Sequence, residues 1–187
     1  MEFIYEIPNN LSPEKCEEII RRFEESDEKT EGVTIGGDTD IKSKVSVDLG
    51  ISGRPGWDDI DEHLCAQLKE GFKQYREHLK DSIAVDELFR ETQDRGYQIQ
   101  RTEKGGYYSW HHDSVMRDGR LVTYIWYLNS RDPMTEGGAT SFLNGKHITP
   151  EQGKLIFFPA TWTYMHMGMP IITDKYKYIC TGWICEN

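Results

Sequence analysis

The densest run of chemistry in this 187-residue chain is Tyr107-Tyr108-Ser109-Trp110-His111-His112-Asp113-Ser114. If the run is a strand, alternate residues share a face, so His111 and Asp113 point together while His112 points away. An imidazole and a carboxylate two positions apart make a two-point clamp for a cation, although H-x-D alone is common in ordinary proteins. A third donor gives the pair weight: His166, in His166-Met167-Gly168-Met169-Pro170, falls near the end of a later strand. Two imidazoles and one carboxylate on adjacent strands form the facial triad that holds non-haem Fe(II) and leaves positions open for substrate and dioxygen. Rival chemistries find little support. No G-x-x-x-x-G-K-[ST] phosphate loop and no G-x-S-x-G nucleophile elbow is present. His147, after Asn144-Gly145-Lys146, reads as a turn residue, and His63 and His78 read as exposed or boundary positions on a helix.

Elements of two kinds must position these residues. Ser12-Pro13-Glu14 is a helix start, followed by an apolar stripe at Ile19, Ile20 and Phe23. From Trp57, apolar residues recur every three or four positions at Ile60, Leu64, Leu68, Phe72, Tyr75 and Leu79, the pattern of a long amphipathic helix laid on something flat. Between them, 32–56 is a polar, glycine-rich stretch with one alternating piece, Val45-Ser46-Val47-Asp48-Leu49. It reads as a loop with a short strand and, from its length and composition, as a candidate substrate lid. After Arg95-Gly96 the period changes to short β-branched or aromatic runs at 97–101, 107–110, 121–129, 139–143, 154–158, 162–167 and 177–184, separated by turn signals such as Asn144-Gly145. The expected class is α+β: helices first, then a β-roll with the helices on one face. Trp110 and Trp162 are expected to be packing residues within it.

Composition narrows the function classes. A chain of 187 residues is expected to be a single domain, with 1–96 mainly helical support and loop and 97–187 the strand-rich core. Hydrophobic residues make up 37%, enough for a core, and the net charge of −10 argues against a nucleic-acid partner, which needs clustered Lys and Arg. That acidity is uneven. Residues 1–96 carry 13 Lys+Arg against 24 Asp+Glu, whereas 97–187 carry 9 against 8, so the half with the metal clamp is close to neutral. The start lacks the pattern of a signal peptide and no apolar run reaches membrane-span length, so no membrane association is expected. The cysteines Cys16, Cys65, Cys180 and Cys185 lack C-x-x-C or metal-ligand spacing and read as reduced, mostly buried thiols in a cytoplasmic setting.

The order H-x-D, then H-x-x-x-P, then a basic residue on the last strand resembles the Fe(II)/2-oxoglutarate dioxygenases, and its wording is closest to the prolyl 4-hydroxylase branch. Five segments carry the resemblance, in order: 107–114, with its Y-x-x-H-x-D-S wording; 120–129, Arg120-Leu121-Val122-Thr123-Tyr124-Ile125-Trp126-Tyr127-Leu128-Asn129; the hairpin 136–142, Glu136-Gly137-Gly138-Ala139-Thr140-Ser141-Phe142; His166 to Pro170; and 177–183, Lys177-Tyr178-Ile179-Cys180-Thr181-Gly182-Trp183. The fold this implies is a double-stranded β-helix (jelly-roll) core with supporting N-terminal helices.

The resemblance also implies roles. His111, Asp113 and His166 are the metal ligands and catalytic centre, with Fe(II), 2-oxoglutarate as cosubstrate, O2, and ascorbate as a reductant. Lys177 matches the family's basic residue for the far (C5) carboxylate of 2-oxoglutarate, and Tyr127 a tyrosine that hydrogen-bonds the same group. Lys175 shares the strand parity of Lys177; the spacing of Lys177 to Trp183 selects Lys177. Thr181 adds a hydroxyl on the same face, and Thr102 stands where the branch often has a tyrosine near the cosubstrate. Tyr108, Arg120 and Trp183 occupy positions that contact the target proline, so the expected reaction is hydroxylation of a proline in a peptide or protein, coupled to decarboxylation of 2-oxoglutarate to succinate. Two alternatives remain open: the same oxidation of a free amino acid or another protein side chain, and a non-catalytic metal-binding β-roll module.

Overall fold

The protein is described here by a computed structural model that covers residues 2–32, 43–114 and 118–187. In chain order the elements are β1 (Tyr5–Ile7), α1 (Pro13–Glu25), β2 (Thr30–Glu31), β3 (Val47–Gly50), α2 (Asp58–Leu79), α3 (Val85–Leu88), β4 (Thr92–Asp94), β5 (Gln98–Thr102), β6 (Tyr108–His111), β7 (Arg120–Tyr127), β8 (Thr140–Phe142), β9 (His147–Ile148), β10 (Leu155–Pro159), a 3-10 turn (Trp162–Tyr164), β11 (His166–Gly168) and β12 (Lys177–Glu186). Among the described residues no helix is long and apolar enough to cross a membrane.

Local chemistry explains the two main helices. Ser12 caps α1, its Oγ accepting from the Lys15 N–H at 3.2 Å, with Pro13 at the first helical position. The buried face of α1 is Cys16, Ile19 and Phe23, whereas that of α2 is Ile60, Leu64, Leu68, Gly71, Tyr75 and Leu79. Both stripes lie on one face of a large sheet.

That sheet runs β1-β10-β7-β12-β5-β3-β2, with β4 also paired to β12, and a smaller sheet runs β6-β11-β8-β9. Alternation on the central strands sorts the side chains cleanly. On β12 the even residues Tyr178, Cys180 and Ile184 join the helix-side core, together with Tyr124 and Trp126 of β7 and Leu155 and Phe157 of β10. The odd residues of β12 face the other way, into the space between the two sheets, where Ile125, Tyr127, Phe142, Ile156 and Phe158 make a second, smaller core. This is the β-roll with helices on one face that the strand pattern implied, in the jelly-roll form that the resemblance implied.

Two expectations need correction. The run 162–167 is not one strand: the Tyr164 N–H bonds back to the Thr161 carbonyl at 2.9 Å, closing a 3-10 turn before β11 begins at His166. Nor are Trp110 and Trp162 packing residues, since they are 43% and 72% exposed. Trp110 falls on the strand parity opposite to His111, and Trp162 sits on the 3-10 turn. The candidate lid is only partly described: residues 33–42 of it lie outside the described residues, while 43–46 run along β6 and 47–50 form β3.

Candidate active site

His111 and His166 are direct register partners across the antiparallel β6–β11 ladder, which is why residues 55 positions apart meet. Asp113 lies just past the end of β6, where its N–H bonds the Ala160 carbonyl at 3.0 Å and holds the chain in line with the strand. His111 Nε2 is 3.8 Å from Asp113 Oδ1, and His166 Nε2 is 3.6 Å from Asp113 Oδ2. One donor atom from each of the three residues lies within 4.8 Å of the others.

The residues fit a metal ion by their own hydrogen bonding. His111 Nδ1 sits 2.7 Å from the Ser109 carbonyl and His166 Nδ1 sits 3.0 Å from the Tyr164 carbonyl. A carbonyl can only accept, so each Nδ1 carries the proton and each Nε2 presents its lone pair to the same point. Burial, reinforced by the neighbouring His166, holds His111 well below the usual imidazole range, so it is neutral and ready to ligate. Burial alone would push the Asp113 carboxyl up; the two imidazoles and a 2.7 Å bond from Thr123 Oγ1 outweigh it and hold the group below the usual carboxylate range. The outcome is a pair of imidazoles presenting Nε2 around one carboxylate, the donor set suited to non-haem Fe(II).

The triad opens into a cavity of about 690 Å3, counting its mouth. Lys177, Ile179, Thr181 and Trp183 of β12 line one wall and Thr102 and Gln100 of β5 extend it, with Thr123, Ile125 and Thr140 nearby. Lys177 is the unusual member. It is 6% exposed, and among the described residues its Nζ makes no hydrogen bond or ion pair, only a 5.5 Å approach to the Tyr127 ring. Burial, with a smaller push from Arg131, lowers its pKa to about 7. A buried ammonium without a counter-ion is costly unless an anion arrives, so the cavity fits a ligand that brings a carboxylate to Lys177. Lys175, by contrast, is on the exterior and pairs with Glu136 at 3.2 Å.

The other sequence-derived residues sit at different depths. Thr102, Thr181 and Tyr108 line the cavity. The Thr181 hydroxyl donates to the Tyr124 carbonyl at 2.7 Å, so it offers the cavity only lone pairs. Tyr127 lies one layer back: its hydroxyl donates to Thr140 Oγ1 at 2.7 Å, and it is Thr140 that faces the cavity. Arg120 also stands behind the wall. Its guanidinium stacks 3.7 Å from the Trp183 ring, donates to the Asp113 carbonyl at 3.1 Å and pairs with Asp118 at 2.7 Å. Trp183 lines the cavity with its Nε1–H buried and without a hydrogen-bond partner among the described residues. Tyr108 lies flat on His111, with 3.5 Å between ring centroids and 13° between planes.

Sequence reasoning missed Thr123, Thr140, Lys44, Ser46 and Gln100, all of which line the cavity. A signal existed for two of them, Lys44 and Ser46. In the alternating stretch before β5, Ser46 and Asp48 share the polar parity with Lys44, and such a parity on an inner strand must face a polar space.

Residues 97–185 match the family model described as the 2OG-Fe(II) oxygenase superfamily. That match spans all three candidate ligands and Lys177, so the strand-rich half of the chain is similar to the 2OG-Fe(II) oxygenase superfamily. Among solved structures, those sharing its fold include a viral collagen prolyl hydroxylase of Paramecium Bursaria Chlorella virus-1 in complex with 2OG, 22% identical over 100% of this chain and 97% of that one, with a TM-score of 0.71. A Trichoplax adhaerens prolyl hydroxylase in complex with a peptide fragment of the hypoxia inducible factor oxygen degradation domain is 18% identical, covers 98% and 83%, and gives 0.79. A Pseudomonas putida prolyl-4-hydroxylase is 20% identical, covers 100% and 94%, and gives 0.73. No curated protein matches the chain.

Proposed function

We propose that the chain hydroxylates a proline in a peptide or protein, with Fe(II), 2-oxoglutarate and O2, and with ascorbate as an external reductant. One observation carries the reading: the His111–Asp113–His166 triad shares a single cavity with a buried Lys177 that has no hydrogen-bond or ion-pair partner among the described residues, and Tyr108 and Trp183 line the same cavity. A structural metal site has no use for such a lysine. When bound, the metal and cosubstrate supply oxygen activation coupled to decarboxylation of 2-oxoglutarate to succinate, with one oxygen atom delivered to a substrate C–H bond.

The chain's own residues do the rest. His111, Asp113 and His166 would hold the metal on one side, with Thr123 fixing the carboxylate and the two backbone carbonyls fixing the rings. Lys177 would neutralise the far carboxylate, aided by the Thr140 hydroxyl, whose lone pair is already taken by Tyr127 so that its own proton is left to donate inward. Tyr108 and Trp183 present flat apolar surfaces suited to a pyrrolidine ring, and the free indole N–H of Trp183 suits a peptide carbonyl. Ile125 and Ile179 keep water away from the space between. The prolyl hydroxylase neighbours, one holding 2OG and another a peptide, support this choice of substrate class.

The test is anaerobic addition of Fe(II) and 2-oxoglutarate, read as the visible charge-transfer band of the chelate, followed by mass spectrometry of proline-containing peptides after exposure to air. A folded protein without the band would overturn the oxygenase reading. A band without a mass gain of one oxygen on proline would overturn the substrate.

A further inference from the structure

Lys44, which lines the cavity, and its partner Asp48 are buried charged residues, at 5% and 2% exposure, and belong to neither the metal set nor the cosubstrate set. Lys44 Nζ donates to Asp48 Oδ2 at 2.5 Å, and Ser46 Oγ donates to Asp48 Oδ1 at 2.8 Å. Gly32 closes the far side: a Cβ there would overlap Ser46 Oγ and stand 3.0 Å from Lys44 Cε. Desolvating two charges offsets most of their attraction, so apolar side chains of similar volume would serve stability as well or better. A buried pair beside a reactive centre therefore asks what else it holds.

The backbone shows what is within its reach. Ser109 N–H bonds the Ser43 carbonyl at 2.7 Å, Val45 N–H bonds the Tyr107 carbonyl at 2.9 Å, and Lys44 bridges to Tyr108. Residues 43–45 thus add an edge to β6, the strand of His111. From there Lys44 Nζ reaches to 5.4 Å from the centroid of the Tyr108 ring, the same ring that stacks on His111. A cation over an aromatic face is attracted by the ring quadrupole, most strongly where water is excluded.

We propose that the Lys44–Asp48 pair is a positioning device for the metal centre, acting through Tyr108. Lys44 holds the Tyr108 ring, the ring holds the His111 imidazole in the plane that aims Nε2 at the metal, and Asp48, fixed by Ser46, keeps the ammonium in place. His111 is then supported at two points, the Ser109 carbonyl at Nδ1 and the Tyr108 face along the ring. The inference rests on the metal-centre reading and adds to it a segment that supplies no ligand.

The test uses Co(II) alone as the probe, titrated into the full chain and followed by its visible ligand-field absorption. The neutral double variant Lys44→Met/Asp48→Asn is expected to melt cooperatively yet bind Co(II) about 10-fold more weakly, with a shifted band. Lys44→Arg is expected to regain most of the affinity. In a Tyr108→Leu background, adding the double substitution should change the affinity by less than about twofold, since the route is already cut. Unchanged affinity and band in the cooperatively melting double variant, or its full effect persisting without Tyr108, would overturn the proposal. If the double variant does not fold, Tyr108→Leu alone decides: weakened Co(II) binding with a shifted band supports the proposal, and wild-type behaviour overturns it. A wild-type chain that binds no Co(II) overturns the metal-centre reading together with this one.

Discussion

Thr123 Oγ1 donates a 2.7 Å hydrogen bond to Asp113 Oδ2, and the two residues come from different sheets. Thr123 is on β7 in the middle of the large sheet, while Asp113 follows β6 at the edge of the small one. The bond ties the sheets together at the metal centre and fixes which carboxylate oxygen faces inward. Thr123→Val, nearly isosteric, removes only that donor and is expected to weaken metal binding by roughly 10- to 100-fold, whereas Thr123→Ser keeps most of it. Calorimetric titration with Fe(II) under anaerobic conditions measures this; equal affinities for Val and wild type would show that the bond does not orient the ligand.

Lys177 gives the site a pH dependence whose sign is fixed. Its pKa is lowered to about 7 by burial and by Arg131, and a bound carboxylate stabilises the charged form. Binding of 2-oxoglutarate therefore takes up a proton above pH 7. KM for 2-oxoglutarate is expected to rise by up to about tenfold per pH unit above that point, and to level off below it. A profile of kcat/KM for 2-oxoglutarate between pH 6 and 9 tests this, and a flat one would contradict it. Lys177→Arg, charged throughout, should flatten the profile.

The same lysine burdens the protein without its ligand. Its folded pKa lies below the unfolded value of roughly 10.4, so the unfolded chain binds more protons between about pH 7 and 10. Folding stability rises with pH across that window, and the penalty is complete below about pH 7. Lys177→Met is expected to abolish 2-oxoglutarate binding yet stabilise the ligand-free protein by on the order of 1–3 kcal/mol at pH 6, a gain that fades toward pH 10. Thermal melts at the two pH values decide it, and a variant less stable at pH 6 would refute the account.

The adjacent residues His112 and Asp113 should behave differently. Asp113→Ala removes a ligand placed between His111 and His166 and is expected to abolish succinate formation. His112, half-buried with its Nδ1 unpartnered among the described residues, lies outside the triad, and His112→Ala is expected to spare most of the activity. Comparable losses in the two variants would mean that His112 shares the work of the site.

What the sequence revealed follows from physics of short range. Strand parity joins His111 to Asp113, and helical periodicity marks Ile60 through Leu79, because both patterns are local. Register between distant strands is not local. That Thr140 intercepts the Tyr127 hydroxyl depends on how β8 lies over β7, and that Lys44 meets Tyr108 depends on a segment folding back along β6 from some sixty residues away. Trp110 and Trp162 illustrate the complementary failure. Aromatic content suggests burial, but one lies on the outward parity of β6 and the other on a 3-10 turn, and neither fact is written in the residue type.

Gly182 separates stability from function on one strand. It faces the helix side of β12, away from Thr181 and Trp183, and a Cβ there would overlap Tyr124 Oη and stand 2.5 Å from the Gly96 carbonyl oxygen. Those two atoms are themselves joined by a 3.0 Å hydrogen bond. The backbone of Gly96 cannot withdraw like the end of a long side chain, so Gly182→Ala must displace Tyr124 or spread the strands. Overpacking of this kind costs about 1–3 kcal/mol, expected as a lower urea midpoint. Because the cavity-facing residues of β12 keep their places, Co(II) affinity of the folded protein should stay at the wild-type value. A variant as stable as wild type would show that this core has slack, and a loss of Co(II) affinity would show that strain on one face of β12 reaches the other.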